Sequence, residues 1–513
     1  MDQHLSNSAP FWPQLRTLLL QLSCITIAFV LSSRVARSTD IEAPLADAIE
    51  QQNTTKIREL LAKDVDPNAA QVDGMTPLHW AIYHDNLPTT KRLVAVKADV
   101  NAQNRYGVPP LSLACKNGSL PIVKLLLDAG AEPNARLHGG ETVLMTAART
   151  GMAGPVRALI EAGAEVNGSD DSNQTAIMWA AAEGHVEVVQ ALIDAKADFR
   201  ASLESGFTPL FFAVREGQSE VITKLLAAGA DVNEELRPQN GSRNRRTNAL
   251  ILAVENGHFE TAAYLLKTGA DPNAAPAGFT ALHAVNWVRR PLRGDTDPPP
   301  IGSGDMNSLD FVRHLLKSGA DIDHRYGRTS GKSNRYSGGK AQFGKSGATA
   351  LLMAARNSDL QLLRLLLDSG ANWKIENGDN CSALLIAAGV GALGSGDELP
   401  GTEEQVIATV RLFLKLGANI NAVADHGETA MHGAAYHERP ALVQFLIDNG
   451  ADISIWNRQN KFGWTPLMIA RGHRPGNFRP SPKTIAAIEN VMRAKGIQPP
   501  PDQPRTKNDK RYR

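Results

Sequence analysis

A single pattern constrains this chain more than any other: a short apolar-helical unit that returns every 33 residues. The stretch Gly74–Asn101 shows it in full. Thr76 stands where a helix N-cap belongs, able to accept orphan N–H groups of the first turn. Pro77 follows at the first helical position, where its missing donor costs nothing. Leu78, Ala81 and Ile82 then form one apolar stripe at helical spacing. A break at Asp85–Asn86 precedes a second helix around Thr90–Val96, and an Asp-Val-Asn turn closes the unit. Two helices this short cannot bury their apolar faces against each other alone, so each pair needs another pair beside it.

The chain provides those pairs. Positions equivalent to Leu78 are Leu45, Leu111, Leu144, Ile177, Leu210, Leu250, Leu282, Leu351, Leu384, Met431 and Leu467, which makes twelve units. The spacing is 33 residues from Leu45 through Leu210 and again from Leu351 to Leu384. T-P-L-H is complete at Thr76–His79, with T-A-L-H at Thr280–His283 and T-A-M-H at Thr429–His432. Gly118, Gly151, Gly184, Gly217 and Gly257 mark the break between helices, a residue type suited to ending a helix in the left-handed region. Asn68, Asn101, Asn134, Asn167, Asn233, Asn273 and Asn421 recur after the second helix.

A 33-residue period carrying T-P-L-H resembles the ankyrin-repeat family. The resemblance covers residues 39–496 and implies an all-α solenoid of about twelve helix-turn-helix units joined by hairpin loops, irregular at both ends. It also implies a concave groove lined by hairpin tips and by the exposed side of each first helix. Carried over by position, the expected partner-binding residues are Arg105, Tyr106 and Phe207 from the tips. Tyr83, Arg149, Arg215, Trp287, Arg356, Tyr436 and His437 come from the first helices, and Phe279 and Trp464 join the tips. The groove from Arg105 to Arg215 is the favoured stretch. Tyr, Trp and Arg supply large or forked contacts with few torsions to freeze. The T-x-x-H histidines, by the same resemblance, brace the threonine to the backbone.

The amino terminus reads separately. Leu18–Leu31 is the only long apolar run, preceded by Arg16 and followed by Ala36-Arg37-Ser38 as a small-x-small cleavage candidate. Residues 1–38 therefore read as a secretory signal peptide, which predicts a periplasmic or secreted protein. The alternative is an uncleaved anchor over residues 15–33, since Arg34 and Arg37 lie on the far side of the run. Of three cysteines, Cys24 lies in this run. Cys115 and Cys381 sit seven units apart, beyond disulfide reach if helix layers stack at about 8–10 Å.

The array departs from its period near 234–247, 288–308, 324–347 and 389–405, and residues 497–513 form a Pro-rich then basic tail expected to be disordered. Insertions in repeat proteins map to loops and often to the working face. The segment His324–Gly347 carries six Lys/Arg and no acid, with Tyr326, Tyr336 and Phe343 interleaved. Arg328, Lys332 and Arg335 are the contact residues if it binds an anion such as nucleic acid, a glycan or a lipid headgroup. Gly339–Ser346 also fits G-x-x-x-x-G-K-[ST], but no strand precedes it as a nucleotide hydrolase requires. The net charge of +1 gives no global field for nucleic acid or membrane. The resulting expectation is a monomeric, non-enzymatic scaffold that binds a protein partner without cofactor or metal. Nucleic acid is disfavoured as the partner, and membrane contact is expected only through an uncleaved anchor.

Overall fold

The computed structural model describes residues 43–238, 246–290, 300–327, 346–390, 401–473 and 479–502. The signal or anchor segment and Arg328, Lys332 and Arg335 lie outside them. The described residues hold twelve pairs of short antiparallel helices, from Pro44–Glu50 with Thr54–Leu61 to Pro466–Ala470 with Pro482–Ala494. A single turn, Ile453–Trp456, stands apart from the pairs. None of the described helices is long and apolar enough to cross a membrane. Two compact units divide after Glu165, the first holding four pairs and the second eight.

The second unit of the sequence shows why these residues form these elements. Thr76 is extended and its hydroxyl accepts from His79 N–H, while His79 Nδ1 accepts from Thr76 N–H at 3.2 Å. That reciprocal pair satisfies two donors at the helix start. Pro77 opens the helix Pro77–Tyr83, and Leu78, Ala81 and Ile82 are fully buried along its inner stripe. Asp85, in the left-handed region, ends it, and Asn86 caps the helix Leu87–Ala95 through Thr89 N–H at 3.0 Å. The expected brace is present: His79 Nε2 reaches Val108 O in the next unit at 2.9 Å, and His283 Nε2 reaches Ala348 O at 3.1 Å. Since Nδ1 accepts from the backbone, Nε2 carries the proton and donates.

Neighbouring repeats are joined by two devices, one made by the backbone alone and one by side-chain amides. At the hairpin tips, Arg105 N–H donates to Asp73 O at 2.8 Å, and in the larger unit Gly378 N–H donates to Ser346 O and Lys461 N–H to His426 O, both at 2.8 Å. Gly74 shows why the tip excludes side chains: at φ +82 a Cβ there would lie 2.8 Å from Arg105 N. At the other end the recurrent asparagines build a ladder. Asn101 Oδ1 accepts from Glu132 N–H at 2.8 Å while its Nδ2 donates to Gly130 O at 3.0 Å. Asn134, Asn233, Asn273 and Asn421 repeat both bonds to their following units. An uncharged amide offers its donor and its acceptor from two separate atoms, so it can hold both backbone groups at once. Asn101→Ala should therefore lower stability by about 1–2 kcal/mol, read by chemical denaturation. Lys374, which occupies the ladder position but caps nothing there, should tolerate alanine within about 0.5 kcal/mol. Equal costs at the two positions would refute the ladder as a source of stability.

The insertions resolve differently from one another. The 234–247 extension starts as a two-stranded antiparallel ladder, Glu235–Leu236 against Thr247–Asn248, the one departure from helix among the described elements. The 288–308 insertion follows a first helix lengthened to Ala281–Arg289 and resumes at the second helix Ser308–Lys317. Its described end folds back over the preceding inter-helix turn. Ser303 N–H donates to His258 Nδ1 at 2.9 Å, and Asp305 N–H donates to Glu260 Oε1 at 2.8 Å. His258 is thus a scaffold residue, as its place after the inter-helix glycine suggests.

Candidate functional site

The hairpin tips and the last turns of the first helices present different side chains in the two units. In the unit ending at Glu165, Tyr83 and Tyr106 are 57% and 56% exposed. Tyr83 closes its first helix, edge-on to Trp80 at 5.4 Å and to His84 at 5.3 Å between ring centroids. Trp80 is fixed in turn by its indole N–H, which donates to Gln71 Oε1 at 2.7 Å. Tyr106 stands at a hairpin tip, with Arg105 Nη2 donating to its hydroxyl at 2.7 Å and the guanidinium 5.0 Å above its ring. Arg149 is exposed and paired with Glu141 at 3.3 Å. These side chains are therefore held by their own neighbours before anything binds.

In the larger unit, Arg215 lies over Phe207 at 5.4 Å and Phe212 at 5.1 Å, so its guanidinium caps an aromatic pair rather than projecting freely. Trp287 is partly buried and edge-on to Phe279 at 5.0 Å, and Phe279 stacks on Tyr326 at 5.9 Å. Arg356 is partly buried and engaged within the chain.

Three expected groove residues are in the interior instead. Tyr436 is 0%, His437 3% and Trp464 0% exposed. Tyr436 donates its hydroxyl to Glu428 Oε1 at 2.7 Å, and Asn460 Nδ2 donates to both at 3.0 and 3.1 Å. Trp464 packs on Phe462 at 5.4 Å between ring centroids. For Tyr436 and His437 the physical reason is the chain leaving the preceding first helix, Ala383–Ala387. Residues 388–390 cross the helix Ala430–Tyr436 so closely that a Cβ on Gly433 would lie 2.6 Å from Ala388 O. A Cβ on Gly389 would meet the His437 ring at 2.4 Å. The column of exposed positions is covered there.

One residue that positional reasoning misses belongs with the aromatic group. Glu255 ends the first helix Ala249–Glu255, at the position equivalent to Trp287 one unit later. Burial pushes its carboxyl pKa up to about 7. The Tyr326 phenol is raised too, first by its own burial and then by the nearby Glu255 charge. The register column Tyr83, Lys116, Arg149, Arg215, Glu255, Trp287, read five residues after each anchor leucine, contains that signal.

Among the described residues no group of three or more His, Cys, Asp or Glu could hold a metal. Cys115 and Cys381 are buried free thiols, their pKa values raised by burial. The G-x-x-x-x-G-K-[ST] segment lies outside the described residues except for Ser346. The helix after it, Ala350–Arg356, is an ordinary first helix capped by the Thr349 hydroxyl.

Comparison with known proteins agrees with this architecture. The model for ankyrin repeats in three copies matches residues 45–137, 111–202, 144–236 and 402–476, more than half of the chain. Models for ankyrin repeats in many copies and for the single ankyrin repeat match 250–285 and 346–378. Among curated proteins, the B-cell lymphoma 3 protein homolog of Mus musculus is 30% identical over 45% of this chain and 41% of its own length. Ankyrin repeat and SOCS box protein 16 of Homo sapiens is 31% identical over 36% of this chain and 49% of its own. Inversin of Canis lupus familiaris is 27% identical over 32% and 12%. The similarity thus spans less than half of each of these relatives. The recurring units, their reciprocal caps and the family models together assign the chain to the ankyrin-repeat family.

Proposed function

We propose that this protein is a non-enzymatic scaffold that binds another protein through the side carrying its hairpin tips and first-helix ends. The observation that carries the reading is the pair Tyr83 and Tyr106, both more than half exposed in adjacent repeats. Single exposed apolar residues are normal on any surface. These two are large aromatics held in place by Trp80, His84 and Arg105, so little side-chain freedom is lost when a partner covers them. Aromatic and arginine anchors of this kind account for most of the binding energy at protein interfaces.

The test is affinity capture in the native host with the full chain, comparing wild type with the Tyr83→Ala/Tyr106→Ala double variant. Recovery of the bound protein should fall by about tenfold or more. Val96→Ala, at an exposed position after a second helix, should leave recovery unchanged. Equal recovery by all three proteins would reject this face as the binding surface.

A further inference from the structure

The aromatic group of the larger unit differs in kind from Tyr83 and Tyr106, because it surrounds an acid. Phe279, Trp287 and Tyr326 form a continuous set of partly buried rings, with His283 edge-on to Tyr326 at 5.8 Å. Glu255 ends the preceding first helix, Ala249–Glu255, which packs against Ala281–Arg289 with Glu255 at the register position of Trp287, and its charge reaches the Tyr326 phenol. Glu255 is half-buried, and the fully buried acids Glu428 and Asp359 have partners: Glu428 accepts from Tyr436 and Asn460, and Asp359 accepts from Arg289. Among the described residues no lysine or arginine pairs with Glu255. The nearby cation Arg325 is committed elsewhere, its Nη2 donating to Glu376 O at 2.8 Å. Arg356, at the equivalent position one repeat beyond Trp287, is engaged within the chain.

A partly buried carboxylate without a cationic partner, next to a cluster of aromatic rings, is complementary to one class of ligand. The faces of Trp, Tyr and Phe attract a cation through their quadrupole, most strongly where water is excluded. A carboxylate at the same place supplies the counter-charge and accepts the cation's N–H groups. We propose that Glu255, Phe279, Trp287 and Tyr326 form a seat for an arginine or lysine side chain on a basic segment of a protein partner. The inference rests on reading the chain as a protein binder, but it uses none of the residues that test that reading.

The occupant is a side chain and not a free metal ion, because rings are poor ligands for hard cations, which take oxygen donors. It is not an anion, because both Glu255 and the ring faces repel negative charge. A guanidinium suits such a seat, since it is flat enough to stack on a ring and keeps N–H groups in its own plane for a carboxylate.

Binding of a capped, fluorescein-labelled Gly-Ser peptide carrying three arginines to the full chain, followed by fluorescence anisotropy, tests this directly. Its counterpart with three glutamates serves as the charge-reversed probe. The basic peptide should bind and the acidic one should not, with binding weakened by added salt. Glu255→Gln and Trp287→Ala should each weaken the basic peptide about five- to tenfold. Trp287→Phe, which keeps a ring, should retain most of the affinity and guards against a folding defect in the alanine variant. Glu187→Gln, an exposed acid on a second helix, should change nothing. No binding of the basic peptide by wild type, equal binding of the acidic peptide, or an unchanged affinity in Glu255→Gln would each overturn the assignment. The Tyr83→Ala/Tyr106→Ala protein should bind the peptide normally, so this proposal and the scaffold surface can fail independently.

Discussion

Asp359→Ala is expected to lower stability by about 3–5 kcal/mol, an effect of the size seen when one member of a buried ion pair is removed. Asp359 is 2% exposed and does two jobs. Its carboxylate caps the helix Leu360–Asp368 through Leu362 N–H at 3.1 Å. It also takes a forked pair of bonds from Arg289, Nε to Oδ2 at 2.7 Å and Nη2 to Oδ1 at 3.1 Å. Alanine would lose the cap, worth about 1 kcal/mol, and leave the guanidinium largely desolvated with only Ser308 and Gln361 as side-chain acceptors. Asp359→Asn keeps the cap and removes the charge, so it should fall between wild type and alanine. Combining Asp359→Ala with Arg289→Met should recover part of the loss, because no unpaired charge then remains. Denaturant unfolding of the four proteins measures these differences. A cost below about 1 kcal/mol for Asp359→Ala would show that water reaches Arg289 and that the pair is a surface one.

That pair also marks how far the sequence could be read. The repeat period, the caps at Thr76, Thr349 and Thr465 and the inter-helix glycines are local signals, each set by residues within a few positions. They place the helices and the buried Leu78-type stripe. The recurring asparagines are visible as a recurrence, but their meaning depends on acceptors and donors about 30 residues away, in the next unit. Arg289 and Asp359 are 70 positions apart and follow no period, so nothing in the residues around either one announces the bond. Insertions have the opposite effect. By sequence the 288–308 and 389–405 departures are candidates for a working face, yet their described ends serve the scaffold. One covers the turn at His258 and the other hides Tyr436 and His437. A positional carry-over assumes that every unit has the same neighbours, and it fails where an insertion supplies a different one. In the uninterrupted repeats, as at Tyr83 and Tyr106, the carried-over positions are exposed.

Glu255→Gln should stabilise the protein at pH 8 by up to about 3 kcal/mol, and the gain should disappear as the pH falls toward 4.5. The carboxyl group's pKa is raised by burial from 4.5 to about 7. Between those values the folded chain binds the proton that the unfolded chain has lost, so stability drops as pH rises through the window. Each tenfold difference in proton affinity between the two states corresponds to about 1.4 kcal/mol, which gives the upper figure above pH 7. Glutamine keeps the shape and has no charge to desolvate. His283 and His432 run the other way, their pKa values lowered from 6.5 to about 4 by burial. The unfolded chain binds more protons at those sites between pH 4 and 6.5, so they add stability as pH rises. The wild-type profile is therefore flattened by opposing groups, and the difference between wild type and Glu255→Gln isolates one of them. Thermal or denaturant unfolding at pH 4.5, 6 and 8 provides that difference. A variant that is no more stable than wild type at pH 8 would mean that Glu255 is already compensated within the fold. A gain at pH 8 identifies a carboxylate kept at a cost to stability, and it ensures that any loss of cation binding in this variant comes from the missing charge and not from a weakened fold.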